Sequence, residues 1–482
     1  MSLSSAIHSA RSGLQVTSLR AGVVATNVAN ASTPGYVRRS VLLSENVVAG
    51  STSGIRTDGI ARSQNEAITA ERRNLTSDLA QADVLSSTWR TISSRVGDTA
   101  DGNGLFKTFA NFESALSNLA LTPESGADAS VVLNSANAIV QEFHSLSQLA
   151  VSLRTEADRE IAQGRDIVNS ALKTIEQLNG KISSMDRTTG EAAALIDERG
   201  RVLDTISEYL SVKAVPRNYG MIDVVTPEGV FLLAGTARQV EFDASSAFGP
   251  DQTIGNGALS GLSVDGISLT PGSSSYGAVS SGLFGALFTL RDQDLPSFST
   301  QLDTLAEDLI TRLSDDTIDP TKTPGDPGLF VDSAGTGAPG LAARIAINAA
   351  VDPAQGGATW RLRDGLGAIA QGPTGDSTIL NAMLGSIKSV NSISSNGIQG
   401  AFTSTEMVAQ FATLSGQKRV QNETVLSSIS TQHTMLRDAE QAENGVDVDV
   451  QMQELILIEQ AYAANARVIE IASQMINRLM EI

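Results

Sequence analysis

Near the start of the chain Leu3, Ile7, Ala10, Leu14, Thr17, Ala21, Val24 and Val28 recur in alternating steps of four and three. This is a heptad seam with a polar lapse at Thr17, and it predicts a helix with one apolar stripe. At the other end Leu455, Ile458, Tyr462, Asn465, Ile469, Ala472, Ile476 and Leu479 form a similar seam. Leu457, Ala461, Ala464, Val468, Ile471 and Met475 form a second one on an adjacent face. A helix from about 446 to 482 would be roughly 55 Å long. Two seams on one helix imply two contacts, one of them with the N-terminal helix. The small residues Ala461, Ala463, Ala464 and Ala466 permit close packing.

The interior carries further helix patterns. Leu75, Leu79, Ala82, Leu85, Trp89, Ile92 and Val96 share one face, which predicts Trp89 in a core. Ile139, Phe143, Leu146, Ala150, Leu153 and Ala157 continue through Gly164, Val168, Ala171, Ile175, Leu178, Ile182 and Met185. That length suggests a coiled-coil-like hairpin arm. Asp186–Gly190 reads as a turn, and Leu195–Leu210 and Leu295–Leu313 as further helices.

Proline marks where the pattern changes. Of 13 prolines, 11 lie between Pro216 and Pro373, and proline is excluded from helix interiors by its missing N–H and its ring. Ser211–Val215, Met221–Thr226, Val230–Ala234 and Arg238–Phe242 read as short strands, with Pro227-Glu228-Gly229 as a tight turn. Glycine-rich segments follow at 255–261 and 272–285. Asp319–Gly375 reads as loops with a few strands, Trp360–Arg363 among them.

The expected fold is mainly α with a β insert: a terminal α-helical coiled coil, a long-helix bundle domain and a smaller β-rich outer domain. The expected divisions are an N-terminal helix and turn (1–44), the first part of the long-helix domain (45–212) and a β-rich outer domain (213–290). A returning helix (291–318), a Gly/Pro-rich segment (319–375), the rest of the long-helix domain (376–443) and the C-terminal helix (444–482) follow.

Charge adds to the reading of the ends. Residues 1–44 carry Arg11, Arg20, Arg38 and Arg39 and no acid, whereas 446–482 carry six acids against Arg467 and Arg478. The complementarity supports pairing of the two terminal helices, but surface charge is weak and screened, so apolar burial must supply most of the stability. The whole chain has 53 acids and 34 bases in 482 residues, a formal charge of -19. Nucleic acid and anionic membrane, which demand basic surfaces, are therefore not expected partners.

Composition also narrows the chemistry. Without cysteine there is no disulfide, thiolate metal site or cysteine nucleophile. The three histidines, His8, His144 and His433, lie far apart in sequence and read as surface or helix-face residues. Gly335 to Gly340 fits GxGxxG but contains Pro339 and lacks a βαβ context, so it reads as a loop. Asp315, Asp316 and Asp319 read as a solvated acidic turn, since they lack the spacing of a calcium loop. No nucleophile-elbow, zinc-protease or phosphate-loop pattern occurs. No catalytic, cofactor-binding or metal-binding residue is assigned, and no enzyme activity is expected. The start lacks the unbroken apolar stretch of a secretory signal and no run of 18 apolar residues occurs, so a soluble chain without a cleaved leader is expected.

The sharpest local motif runs from Asn27 through Asn30 to Thr33-Pro34-Gly35-Tyr36, where Pro34-Gly35 reads as the centre of a type II turn ending the first helix. With Ser12-Gly13-Leu14 before it, this stretch resembles the amino-terminal signature of bacterial flagellar axial proteins of rod, hook and hook-associated types. Gln460-Ala461-Tyr462-Ala463-Ala464-Asn465-Ala466-Arg467-Val468-Ile469 resembles their carboxy-terminal signature. Within that superfamily, the run from Ala194 to Asp204, Ile206 to Leu210, Leu178 to Ile182, and Leu290-Arg291-Asp292 leading into Leu302 to Ala306 resemble the hook-associated protein 1 family. Arg38-Arg39 departs from the commoner Arg-Gln pair, and the central region is short for the family.

The resemblance implies a structural role at the junction of hook and filament, as a ring of copies outside the cell after type III export. The implied partners are further copies, the hook protein, hook-associated protein 3 and an export chaperone. The residues expected in the assembly contact are Leu3, Ile7, Leu14, Val24 and Val28 with Leu455, Ile458, Tyr462, Ile469, Ile476 and Leu479. The alternatives are a hook or rod protein, for which the long arm is unexpected, an assembly-linked hydrolase, or an acidic secreted adhesin.

Overall fold

A computed structural model of the chain describes residues 3–48, 51–97, 103–186, 188–245, 248–249, 252–395 and 397–480. Where the first heptad pattern predicts a helix, α1 spans Leu3–Ala29. It leads through the turn at Thr33–Tyr36 into an antiparallel hairpin of β1 (Arg39–Val48) and β2 (Ser51–Arg62). The expected boundary at residue 44 falls inside β1, because the strand pairing continues past a register shift between Leu42, opposite Gly59, and Leu43, opposite Thr57.

Four helices follow: α2 (Glu66–Val96), α3 (Gly104–Leu121), α4 (Gly126–Ser184) and α5 (Gly190–Tyr209). Side-chain caps start three of them: Asn65 accepts from the N–H of Ala67 and Ile68, Ser125 from Asp128, and Thr189 from Ala192. α4 is one uninterrupted helix of 59 residues, about 88 Å long. The chain turns back after Ser184, where a turn is expected, and α5 packs against α4 as the returning arm of a helical hairpin. Gly164 does not break α4, since a Cβ there would come within 2.8 Å of Phe284 and Tyr209, so the glycine admits close packing.

The β-rich part consists of β3 (Lys213–Pro216), β4 (Ile222–Val225), β5 (Phe231–Ala234) and β6 (Thr236–Ala237) in one meander. A second small sheet holds β7 (Val240–Glu241), β8 (Ser263–Val264) and β9 (Ile267–Ser268). The glycine-rich stretch then ends in an unexpected helix, α6 (Gly282–Thr289), followed by one wide turn and α7 (Leu295–Ser314).

A hairpin of β10 (Phe330–Asp332) and β11 (Ile345–Ile347) sits in the Gly/Pro-rich segment. Trp360–Arg363 is not a strand: α8 (Arg361–Asp364) is a helical turn, closed by the Asp364 N–H on Trp360 O. Then come α9 (Thr378–Lys388), an unexpected hairpin of β12 (Asn391–Ser395) and β13 (Ile398–Phe402), α10 (Ser404–Asn444) and α11 (Val448–Met480). The last two residues of the expected terminal helix lie outside the described ones. Among the described residues no helix is long and apolar enough to cross a membrane.

Two apolar cores hold the body together. The larger joins α2, α3, the first half of α4, α7, α9 and the start of α10, with Trp89, Phe112, Phe143, Phe298 and Phe411 buried in it. The second joins the later half of α4, α5, α6 and the β meanders. Between them Arg291 is wholly buried, donates to Asp158 at 2.5 Å and stacks on Phe288. Buried charges persist only when paired in this way. Of the acidic turn, Asp316 pairs with Lys322, but Asp319 is buried rather than solvated, accepting from Thr321 and from the N–H of Leu366.

Candidate assembly interface

The two chain ends lie side by side: α1 packs along α11, and their buried apolar residues (Ala10, Val16, Val23 and Val24 against Ile458 and Ala472) belong to neither core. This pair is a separate small structure held to the body through a hinge of polar contacts. The two helices approach closely at Gly13, where an added Cβ would sit 2.7 Å from Asn465 Nδ2. Nearer the hinge Arg20 pairs with Glu454 at 2.8 Å, half-exposed on both sides.

Of the residues expected in this contact, Val24 and Ile458 are buried, and Leu3, Ile7, Leu14, Val28, Leu455 and Ile469 are half-buried. Tyr462, Ile476 and Leu479 are not covered; Tyr462 is 50% exposed and Leu479 68%. The covered stripe runs through Ile458, Asn465 and Ala472 of the first expected seam, extends back to Gln451, and has Ala461 of the second seam beside it. The opposite face stays open, with Leu457 64%, Ile471 51% and Met475 49% exposed.

The hinge is built on Asn27. Its amide donates to Gln451 Oε1 and Arg39 O, both at 2.8 Å, and its carbonyl accepts from Tyr36 Oη at 2.8 Å and Arg39 N at 3.1 Å. One side chain thereby ties the end of α1, the start of β1 and the start of α11 together. Asn30 closes α1 by donating to Thr26 O and accepts from Thr33 Oγ1. In the turn, the Tyr36 N–H reaches Thr33 O, with Pro34 at the second position and Gly35 at φ 73°, the positive value a type II turn requires at its third. Burial raises the Tyr36 phenol above its usual range, against the opposing field of Arg39, whose guanidinium sits 4.8 Å from the ring centre.

Below Asn27 a charged layer joins the hinge to the body. Asp197 of α5 accepts from Arg39 at 2.9 Å and from Arg62 at 2.7 Å, with all three side chains largely buried. Asn444 at the end of α10 accepts from Arg38 N through its backbone and from Asn65 N through its side chain. Arg72 of α2 bridges Asp204 and Glu440. Arg62, Asn444 and Gln451 are thus structural determinants that the sequence reading did not single out, and Gly13, Arg39 and Asp197 entered it only as parts of motifs or of the charge count. Of the first three, Gln451 alone left a signal, standing seven residues before Ile458 on the same stripe.

The interface offers packing and fixed polar joints. Among the described residues no group of three or more acidic or histidine side chains is placed to hold a metal.

Comparison with known proteins follows the same division of the chain. Residues 90–325 match the family described as the flagellar hook-associated protein FlgK helical domain. Residues 7–36 match flagella basal body rod protein, and 443–482 the C-terminal region of flagellar basal body rod FlgEFG protein. Flagellar hook-associated protein 1 of Salmonella typhimurium is 24% identical over 315 residues, covering 63% of this chain and 55% of that protein. The match thus spans little more than half of that relative's length. Flagellar hook-associated protein 1 of Bacillus subtilis is 20% identical over 507 residues, covering 98% and 97%. The solved flagellar hook junction protein FlgK from Burkholderia pseudomallei overlaps at a TM-score of 0.44, 19% identical, over 54% of this chain and 46% of that one. With the helical-domain match in its middle and rod-type segments at both ends, the chain is similar along its length to flagellar hook-associated protein 1.

Proposed function

We propose that the chain is a structural, non-enzymatic subunit of the bacterial flagellum that joins hook to filament as a ring of copies outside the cell, after type III export. Its partners in this reading are neighbouring copies, the hook protein, hook-associated protein 3 and an export chaperone. The observation that carries it is the pairing of α1 with α11 while the far face of α11 keeps an apolar stripe in water. A stripe of that length on a helix that is already paired marks an association surface. The helical body and β sheets stay outside this contact, attached through the Asn27 and Asp197 joints.

The test uses Leu457→Asp combined with Ile471→Asp in cells lacking their own copy. Both side chains are exposed in the single chain, so the purified variant should melt at the wild-type temperature. The wild-type chain restores filaments, and the variant is exported but leaves hooks without filaments. Normal filaments on cells carrying the double variant would overturn the proposal.

A further inference from the structure

A cleft of about 360 Å³ opens where α2, α5 and the first strands of the β meander meet. Arg62, Arg73, Arg199 and Lys213 line it against one acid, Glu66, in a chain whose acids outnumber its bases. Arg62 is already held by Asp197, and Arg73 by Asp204.

Arg199 differs from both. It is only 7% exposed, and its two hydrogen bonds both leave from Nη1, to Asn179 Oδ1 at 2.9 Å and Gly220 O at 2.7 Å. Among the described residues Nε and Nη2 have no protein partner and no carboxylate pairs with the guanidinium. A buried cation with neutral partners alone is costly. Burial and the nearby Arg62 push its pKa down to about 10, opposed by Glu66. Lys213 at the rim is exposed and likewise lacks a carboxylate partner among the described residues. Fixing the Gly220 carbonyl explains one nitrogen of Arg199, and the residue lines the cleft.

We infer that this cleft is an oxyanion site, with Arg199 supplying the fork and Lys213 the closing charge. The ligand chemistry is a phosphate or carboxylate group. A planar guanidinium with two free donors suits either one. The group would come either from a free inorganic anion or from an acidic side chain of another polypeptide.

Calorimetric titration of the full chain, at constant ionic strength in chloride, tests the assignment with two probes: inorganic phosphate and glutarate. Saturable binding of at least one is expected, weakened about fivefold or more by Lys213→Ala and lost in Arg199→Met. Phosphate binding supports the free ion as the source, and glutarate binding without phosphate binding supports a protein carboxylate. Circular dichroism checks the fold of both variants; if Arg199→Met does not fold, Lys213→Ala, at an exposed position, decides by itself. Absence of saturable binding by either probe, or binding that Lys213→Ala leaves unchanged, overturns the site.

Discussion

Gly13 and Asn465, from opposite ends of the chain, meet across the α1–α11 contact: any Cβ on Gly13 would collide with the Asn465 amide, which is itself fixed by donating to Ala461 O. Gly13→Ala gains about 1 kcal/mol of helix propensity but forces Asn465 from its place. Removing the amide as well, with Asn465→Ala, relieves the collision. The double variant is therefore expected to be more stable than the sum of the single ones, by about 0.5–2 kcal/mol. Urea unfolding of the four proteins measures this coupling, and strict additivity would mean that the helices do not touch there.

Asn27→Ala removes four hydrogen bonds at once and strands the buried Gln451 amide and the Tyr36 hydroxyl. Each buried polar group left without a partner costs about 1–3 kcal/mol. The expected loss is about 2–4 kcal/mol, concentrated in the terminal pair and the β1–β2 hairpin. Hydrogen exchange should find α1, β1 and α11 deprotected together, with α3 and α4 unchanged.

What the sequence made legible follows from how local each signal is. The seam through Leu3–Val28 and the Pro34-Gly35 turn rest on neighbours within one or two turns of chain, and both correspond to observed structure. The paired ends followed from two matching heptads. Which members of the first α11 seam are covered did not: Ile458 and Ala472 are buried while Tyr462 and Leu479 stay open, and heptad spacing alone does not separate them.

Other features were hidden for other reasons. The β12–β13 hairpin left little trace, because its short serine-rich strands lack an apolar alternation. At Trp360–Arg363 an aromatic residue beside leucine suggests a strand, whereas the backbone closes a helical turn. The ion pairs of Asp197 with Arg39 and Arg62 join residues far apart in sequence, so no spacing rule announces them.

His433 on α10 faces Thr76 of α2 at 3.1 Å, near Arg72, Arg437 and Glu440. Burial lowers its pKa, and Arg72 and Arg437 lower it further against the opposing Glu440. The folded chain thus keeps this ring neutral at a pH where the unfolded chain, titrating near 6.5, has begun to take up a proton. Between the two values the unfolded state binds more protons, so stability rises with pH there and falls on acidification through about 6.5. Urea unfolding at pH 7.5 and 5.5 should give a larger acid loss for the wild type than for His433→Gln. Equal losses would show that this ring is not held neutral.

Loss of either of the two ion-paired acids at the hinge, Glu454 and Asp197, should have very different effects. Arg20 and Glu454 are each about a third exposed, so water solvates whichever partner remains. Glu454→Gln is therefore expected to cost no more than about 1 kcal/mol, and less in high salt. Asp197 is nearly buried between Arg39 and Arg62. Asp197→Asn keeps the shape but leaves two guanidiniums facing each other without an anion, a change of about 3–5 kcal/mol for a broken buried pair. Salt relieves little of that, since ions cannot enter the layer. Denaturation at low and high salt separates the two cases, and it also tests the hinge: if Asp197→Asn were as mild as Glu454→Gln, the charged layer would not be what fixes the terminal pair to the body.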